Sequence, residues 1–95
     1  MTGQKILTLH PEGKQGVNID LTKYNQIREA ILGVLAEQGT LAFGELGDVI
    51  EQRLSGRFDG SVGWYYTTVK LDLEARGVLA CDRRGSRQMI SLASK

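Results

Sequence analysis

Three segments of helical periodicity followed by two β-prone runs constrain the fold of this chain more tightly than any other feature of its sequence. Tyr24, Ile27, Ile31, Val34 and Leu35 recur at the spacing of one helix face, which predicts a first helix from about residue 21 to Gln38. Asp20 precedes it as a capping residue, because its carboxylate accepts an N–H that the first helical turn leaves unpaired, and Gly39 follows as a stop. Thr40 to Phe43 reads as a brief strand. After Gly44, Leu46, Val49, Ile50 and Leu54 form the face of a second helix, ended by the loop Ser55 to Gly60. Ser61 caps a third helix predicted to run to about Arg76, with Val62, Tyr66, Val69 and Leu73 on one side and Gly77 at its end. Val78 to Asp82 and Arg87 to Leu92 then pair as a hairpin around Arg83-Arg84-Gly85-Ser86, where Gly85 supplies the turn.

At 95 residues the chain has room for one core. We divide it into an N-terminal extension, residues 1–20, and a domain over residues 21–95. Within the extension, Lys5 to Leu9 reads as a short strand and His10 to Gly16 as a turn-rich loop. A hydrophobic fraction of 41% and a charged fraction of 24% fall in the ordinary range for a folded protein and argue against disorder. Cys81 is the single cysteine, which excludes an internal disulfide, and with His10 it cannot complete a closed four-ligand zinc site. The first twenty residues hold only the short apolar stretch Ile6 to Leu9. The longest apolar segment, Ile31 to Ala36, is far shorter than the roughly twenty residues a membrane helix needs. A cytoplasmic protein with no membrane partner, no metal and no cofactor is expected.

The run Tyr66 to Leu79 carries a family resemblance. Thr67-Thr68 leads into Leu73-Glu74-Ala75-Arg76-Gly77-Val78-Leu79, and a basic hairpin follows from Arg83 to Arg87. This pattern resembles the third helix and wing of bacterial winged-helix regulators over about residues 21–92, with one residue more between the threonine pair and the Leu-Glu. Leu71 occupies the extra position. The string Gly60 to Tyr66, with the His10-Pro11 loop, resembles a small family of uncharacterised bacterial winged-helix-like proteins. The resemblance implies an α+β, mainly α fold: a winged helix-turn-helix of three helices plus a C-terminal β-hairpin wing. It also implies a DNA-binding role of transcriptional-regulator type.

Charge is near balance overall, twelve Lys and Arg against eleven Asp and Glu, so no global field announces a polyanion. Its distribution is uneven. Residues 21–82 are acidic on balance, whereas Arg83, Arg84, Arg87 and Lys95 meet no acid after residue 82. A basic wing displaces counterions from phosphates, so Arg83, Arg84 and Arg87, with Lys70 and Thr67 on the third helix, are the candidate contacts to a duplex DNA backbone. Base reading is less well provided for. The outer side of the third helix carries Trp64, Thr67, Thr68, Leu71, Glu74 and Ala75, few of which match base edges.

Trp64, Leu71 and Ala75 form a second apolar stripe, and a helix apolar on two sides is usually covered on both. Three readings stay open. The extension folds over the stripe through Ile6, Leu7, Leu9, Val17 and Ile19; or Trp64, Tyr65 and Leu71 form a homodimer or protein-partner surface; or Trp64 stacks on bases.

An enzyme is the least supported class, and no catalytic residue is assigned. Gly13-Lys14-Gln15-Gly16 lacks the spacing and the hydroxyl of a phosphate-binding loop. His10 has no nucleophile fixed beside it. Glu45, Asp48 and Glu51 read as a solvated helix face. Cys81 reads as a small packing residue of the first wing strand.

Overall fold

A computed structural model describes residues 4–93. The first elements are strands β1 (Lys5–Leu7) and β2 (Asn18–Asp20), paired antiparallel with Ile6 opposite Ile19. Helix α1 (Leu21–Gln38) starts where the Asp20 carboxylate accepts the Lys23 N–H at 3.0 Å. It stops at Gly39, whose φ of 76° is open to glycine at little cost and whose N–H returns to the Leu35 carbonyl. Strand β3 (Leu41–Ala42) leads directly into α2 (Phe43–Leu54), so the predicted strand is two residues shorter than expected. Glu45 reaches back to the Ala42 N–H at 3.1 Å and closes the start of α2.

Helix α3 (Val62–Ala75) is capped by the Ser61 hydroxyl on the Trp64 N–H. It ends in a Schellman motif: the Val78 N–H bonds to the Leu73 carbonyl, and Gly77, with φ of 79°, bonds to the Glu74 carbonyl. The chain then turns into β4 (Leu79–Arg84) and β5 (Arg87–Leu92). Arg84 pairs with Arg87 across Gly85-Ser86, and the Gly85 φ of 64° suits a type II′ hairpin turn. Arg83 and Arg84 therefore stand within the strand rather than in the turn where the sequence placed them.

The result is an α+β domain with three helices and two antiparallel sheets, one of order β1-β2 and the other of order β3-β5-β4. Leu46 and Ile50 of α2 and Val69 and Leu73 of α3 meet Ile27, Ile31 and Val34 of α1 in one core, closed on the sheet side by Leu79 and Ile90. Ile19 belongs to this same core, so the extension and the following segment share one hydrophobic interior. Lys95 lies outside the described residues. Among the described residues no helix is long and apolar enough to cross a membrane.

Candidate functional site

The cations predicted to meet phosphate separate into two groups. At the tip of the β4–β5 hairpin, residues 82–87 are all exposed. Arg84 Nε lies 3.7 Å from Asp82 and Arg87 Nη2 lies 3.5 Å from Glu45, pairs that water largely screens. Arg87, with no acid close to it in sequence, thus acquires one in space because α2 delivers Glu45 beside it, while β4 puts Asp82 and Arg84 on one face. Arg83 makes no ion pair among the described residues.

Lys70 is different. The helix turns it inward, where it is 4% exposed, and its Nζ donates to Glu74 at 3.0 Å and to Gln88 Oε1 at 3.1 Å while resting near the Phe43 ring. This lysine joins α3 to strand β5 and offers no free charge to a polyanion. Its assignment as a phosphate contact is corrected on that geometry. Thr67 is exposed, with its hydroxyl donating to the Gly63 carbonyl one turn back, at 3.1 Å.

The second apolar stripe also divides. Trp64 is 49% exposed at the N-terminal end of α3 and packs edge-on to Tyr65, which in turn meets Phe58 and carries Lys23 over its ring. Thr68 and Leu71, one and two turns further along, are half-buried under the loop that joins β1 to β2. Thr8, Leu9, Gly16 and Val17 of that loop line a cavity of about 120 Å³ with them. The extension therefore covers the middle of the α3 outer face and leaves its N-terminal end open. Of the open readings, coverage by the extension accounts for Leu71 and leaves Trp64 unaccounted for.

Asp72 holds this arrangement together, and the sequence reading did not single it out. It is fully buried and accepts from the Leu9 N–H at 2.8 Å, from the Tyr24 hydroxyl, and from Arg76 Nε at 2.9 Å to both carboxylate oxygens. Burial first, and then the hydrogen bond to Asp72, push the Tyr24 hydroxyl up to about 12. The same carboxylate raises Arg76 further above its ordinary value. A signal existed in the sequence: Asp72 stands between Leu71 and Leu73, three residues from the core residue Val69, where an acid that turns inward has to be paired.

Groups weighed for chemistry are engaged elsewhere or stand apart. The Cys81 thiol faces Gln88 Oε1 at 3.5 Å, and burial raises it, away from the reactive thiolate. His10 Nδ1 accepts the Glu12 N–H at 3.1 Å within its own loop. Glu45 is occupied by the start of α2 and by Arg87, while Asp48 and Glu51 face solvent. Among the described residues no group of His, Cys, Asp and Glu converges as a metal site.

A family model matches residues 5–89, from β1 into β5, and none of the curated proteins matches the chain. With nearly its whole length covered, the chain belongs to the family of unknown function DUF6958.

Proposed function

We propose that this chain is a cytoplasmic winged-helix module, non-enzymatic, that binds duplex nucleic acid through its sugar-phosphate backbone. The observation that carries this reading is the exposed hairpin tip with Arg83, Arg84 and Arg87, next to α3 in a sheet of order β3-β5-β4. The order helix, strand, helix, helix, strand, strand supports the winged-helix assignment. Arginines at a wing tip position a protein on phosphates without reading sequence. The α3 face that a recognition helix would present to base edges is half covered by residues 8–17, and Lys70 is buried, so little base discrimination is expected. Fluorescence anisotropy with unrelated duplexes at low salt tests this: similar affinities across sequences support backbone binding, and no binding to any duplex rejects it.

A second reading is a protein-interaction or self-association module. It is favoured by one observation, the half-exposed Trp64 beside Tyr65, a pairing common among interface anchors. Light scattering of the wild type and of Trp64→Ala separates the two. An oligomer lost in Trp64→Ala supports the interface, and a monomer in both removes the self-association form of this reading.

A further inference from the structure

The loop between β1 and β2, residues 8–17, lies across the outer face of α3 with the properties of a cover rather than of a core element. Its apolar side chains are only partly covered, with Leu9 44% and Val17 40% exposed, while Thr8 is buried at its base. Beneath it, the cavity of about 120 Å³ against Thr68 and Leu71 leaves the seam incompletely packed. Within the loop the bonding is self-contained. The Thr8 N–H bonds to the Val17 carbonyl at 2.9 Å, the Val17 N–H bonds to the Thr8 hydroxyl at 3.0 Å, and the Gly13 N–H bonds to the His10 carbonyl. The hydrogen bonds from loop to body are the Leu9 N–H to Asp72 and a long 3.5 Å contact from Arg76 to the Leu7 carbonyl beside it.

The far end of that tether is built to survive its loss. When the Leu9 N–H leaves, Asp72 keeps the Tyr24 hydroxyl and the Arg76 guanidinium, so no buried charge is stranded. Leu9, already near half exposed, has its N–H rehydrated at little cost. Local opening with few apolar contacts broken lies at the low end of the free energies available to a folded protein.

On the reading of this chain as a duplex-binding module, we infer that residues 8–17 are a gate. They open as a unit on a folded core and uncover Thr68 and Leu71, so that α3 joins the wing in contacting the duplex. The closed form binds through the wing alone.

Gly16 gives a lever. A Cβ there would lie 1.7 Å from the Thr8 carbonyl oxygen across the neck of the loop, so alanine spoils the loop conformation that seats on α3. Gly16→Ala is therefore one test variant, and Leu9→Pro, which removes the N–H that ties the loop to Asp72, is a second that does not depend on a clash. Each is made in a Cys81→Ser background carrying Leu71→Cys, and thiol labelling at position 71 reads the opening. Duplex affinity at low salt is measured on the same variants with Leu71 retained. Both variants are expected to label about tenfold faster than the parent and to bind duplex several-fold more tightly, with the fold intact by circular dichroism. Unchanged labelling in both variants overturns the gate. Faster labelling without tighter binding also overturns it, while leaving wing binding in place. Absence of duplex binding by every form, the parent included, instead rejects the nucleic-acid reading on which the gate rests.

Discussion

The backbone N–H of Leu9 donates to the carboxylate of Asp72 at 2.8 Å, across 63 positions of the chain. That bond ties the extension to the middle of α3, and the Tyr24 hydroxyl ties the same carboxylate to α1. One buried acid thus fixes three parts of the molecule, and fixes how much of the α3 surface is open to a partner.

Asp72→Ala leaves the Tyr24 hydroxyl without its buried acceptor and the loop without its tether. Arg76, partly exposed, recovers water. A loss of about 2–4 kcal/mol is expected from the unsatisfied groups, read as a lower urea midpoint with an unchanged slope. Asp72→Asn, which keeps an acceptor but not the charge, falls between the two.

Alkaline pH acts through Tyr24. Its hydroxyl ionises near 10 when unfolded and at about 12 in the folded protein, so the folded state holds the proton more tightly. The stability this supplies is whole below pH 10 and is lost as pH rises from 10 towards 12. Thermal denaturation in that window should show a steep fall for the wild type. Tyr24→Phe starts less stable at neutral pH and shows a shallower fall, the remaining slope coming from Tyr66, which burial also pushes up.

Gly47 sets the spacing of α2 on α3. A Cβ at this position would stand 2.9 Å from Cε2 of Tyr66, whose hydroxyl is held by the Phe43 carbonyl at 2.7 Å and whose ring stacks on Phe43. The ring cannot move freely, so Gly47→Ala is expected to cost about 1–3 kcal/mol despite the better helix propensity of alanine. Chemical denaturation measures it.

Lys70 and the arginines of the β4–β5 hairpin should separate cleanly in mutation. Lys70→Met removes the link to Glu74 and Gln88 and changes stability, with duplex affinity altered by less than about twofold, because a buried ammonium releases no counterion. Lys70→Met weakening binding as much as Arg83→Ala contradicts this assignment.

The helices were legible because their signals are local. Asp20, Ser61, Gly39 and Gly77 each act within a few residues, and the core faces of α1 and α3 follow from spacing alone. Lys70 was misplaced for a different reason. Its charge reads as a surface contact, although spacing sets it about 40° from Tyr66 at the flank of the core face, and the arrival of β5, which brings Gln88, completes its burial. Arg87 acquired Glu45 as a neighbour through the packing of α2, which a charge count along the chain cannot show, whereas Asp82 and Arg84 share a face of β4 by strand alternation. The covering of Leu71 was among the open readings, but its means, an N–H of Leu9 on Asp72, depends on a pairing 63 positions apart that no periodicity encodes.

If Arg83, Arg84 and Arg87 of the β4–β5 hairpin hold a duplex by its phosphates, the salt dependence of binding registers it. Affinity should fall as a power of salt concentration, with a slope corresponding to about two or three phosphate contacts for the wild type. Arg83→Ala with Arg84→Ala should lower that slope by about 2 and weaken binding to every duplex alike. A slope unchanged by removing both arginines, or duplex binding that does not respond to salt, would contradict the account.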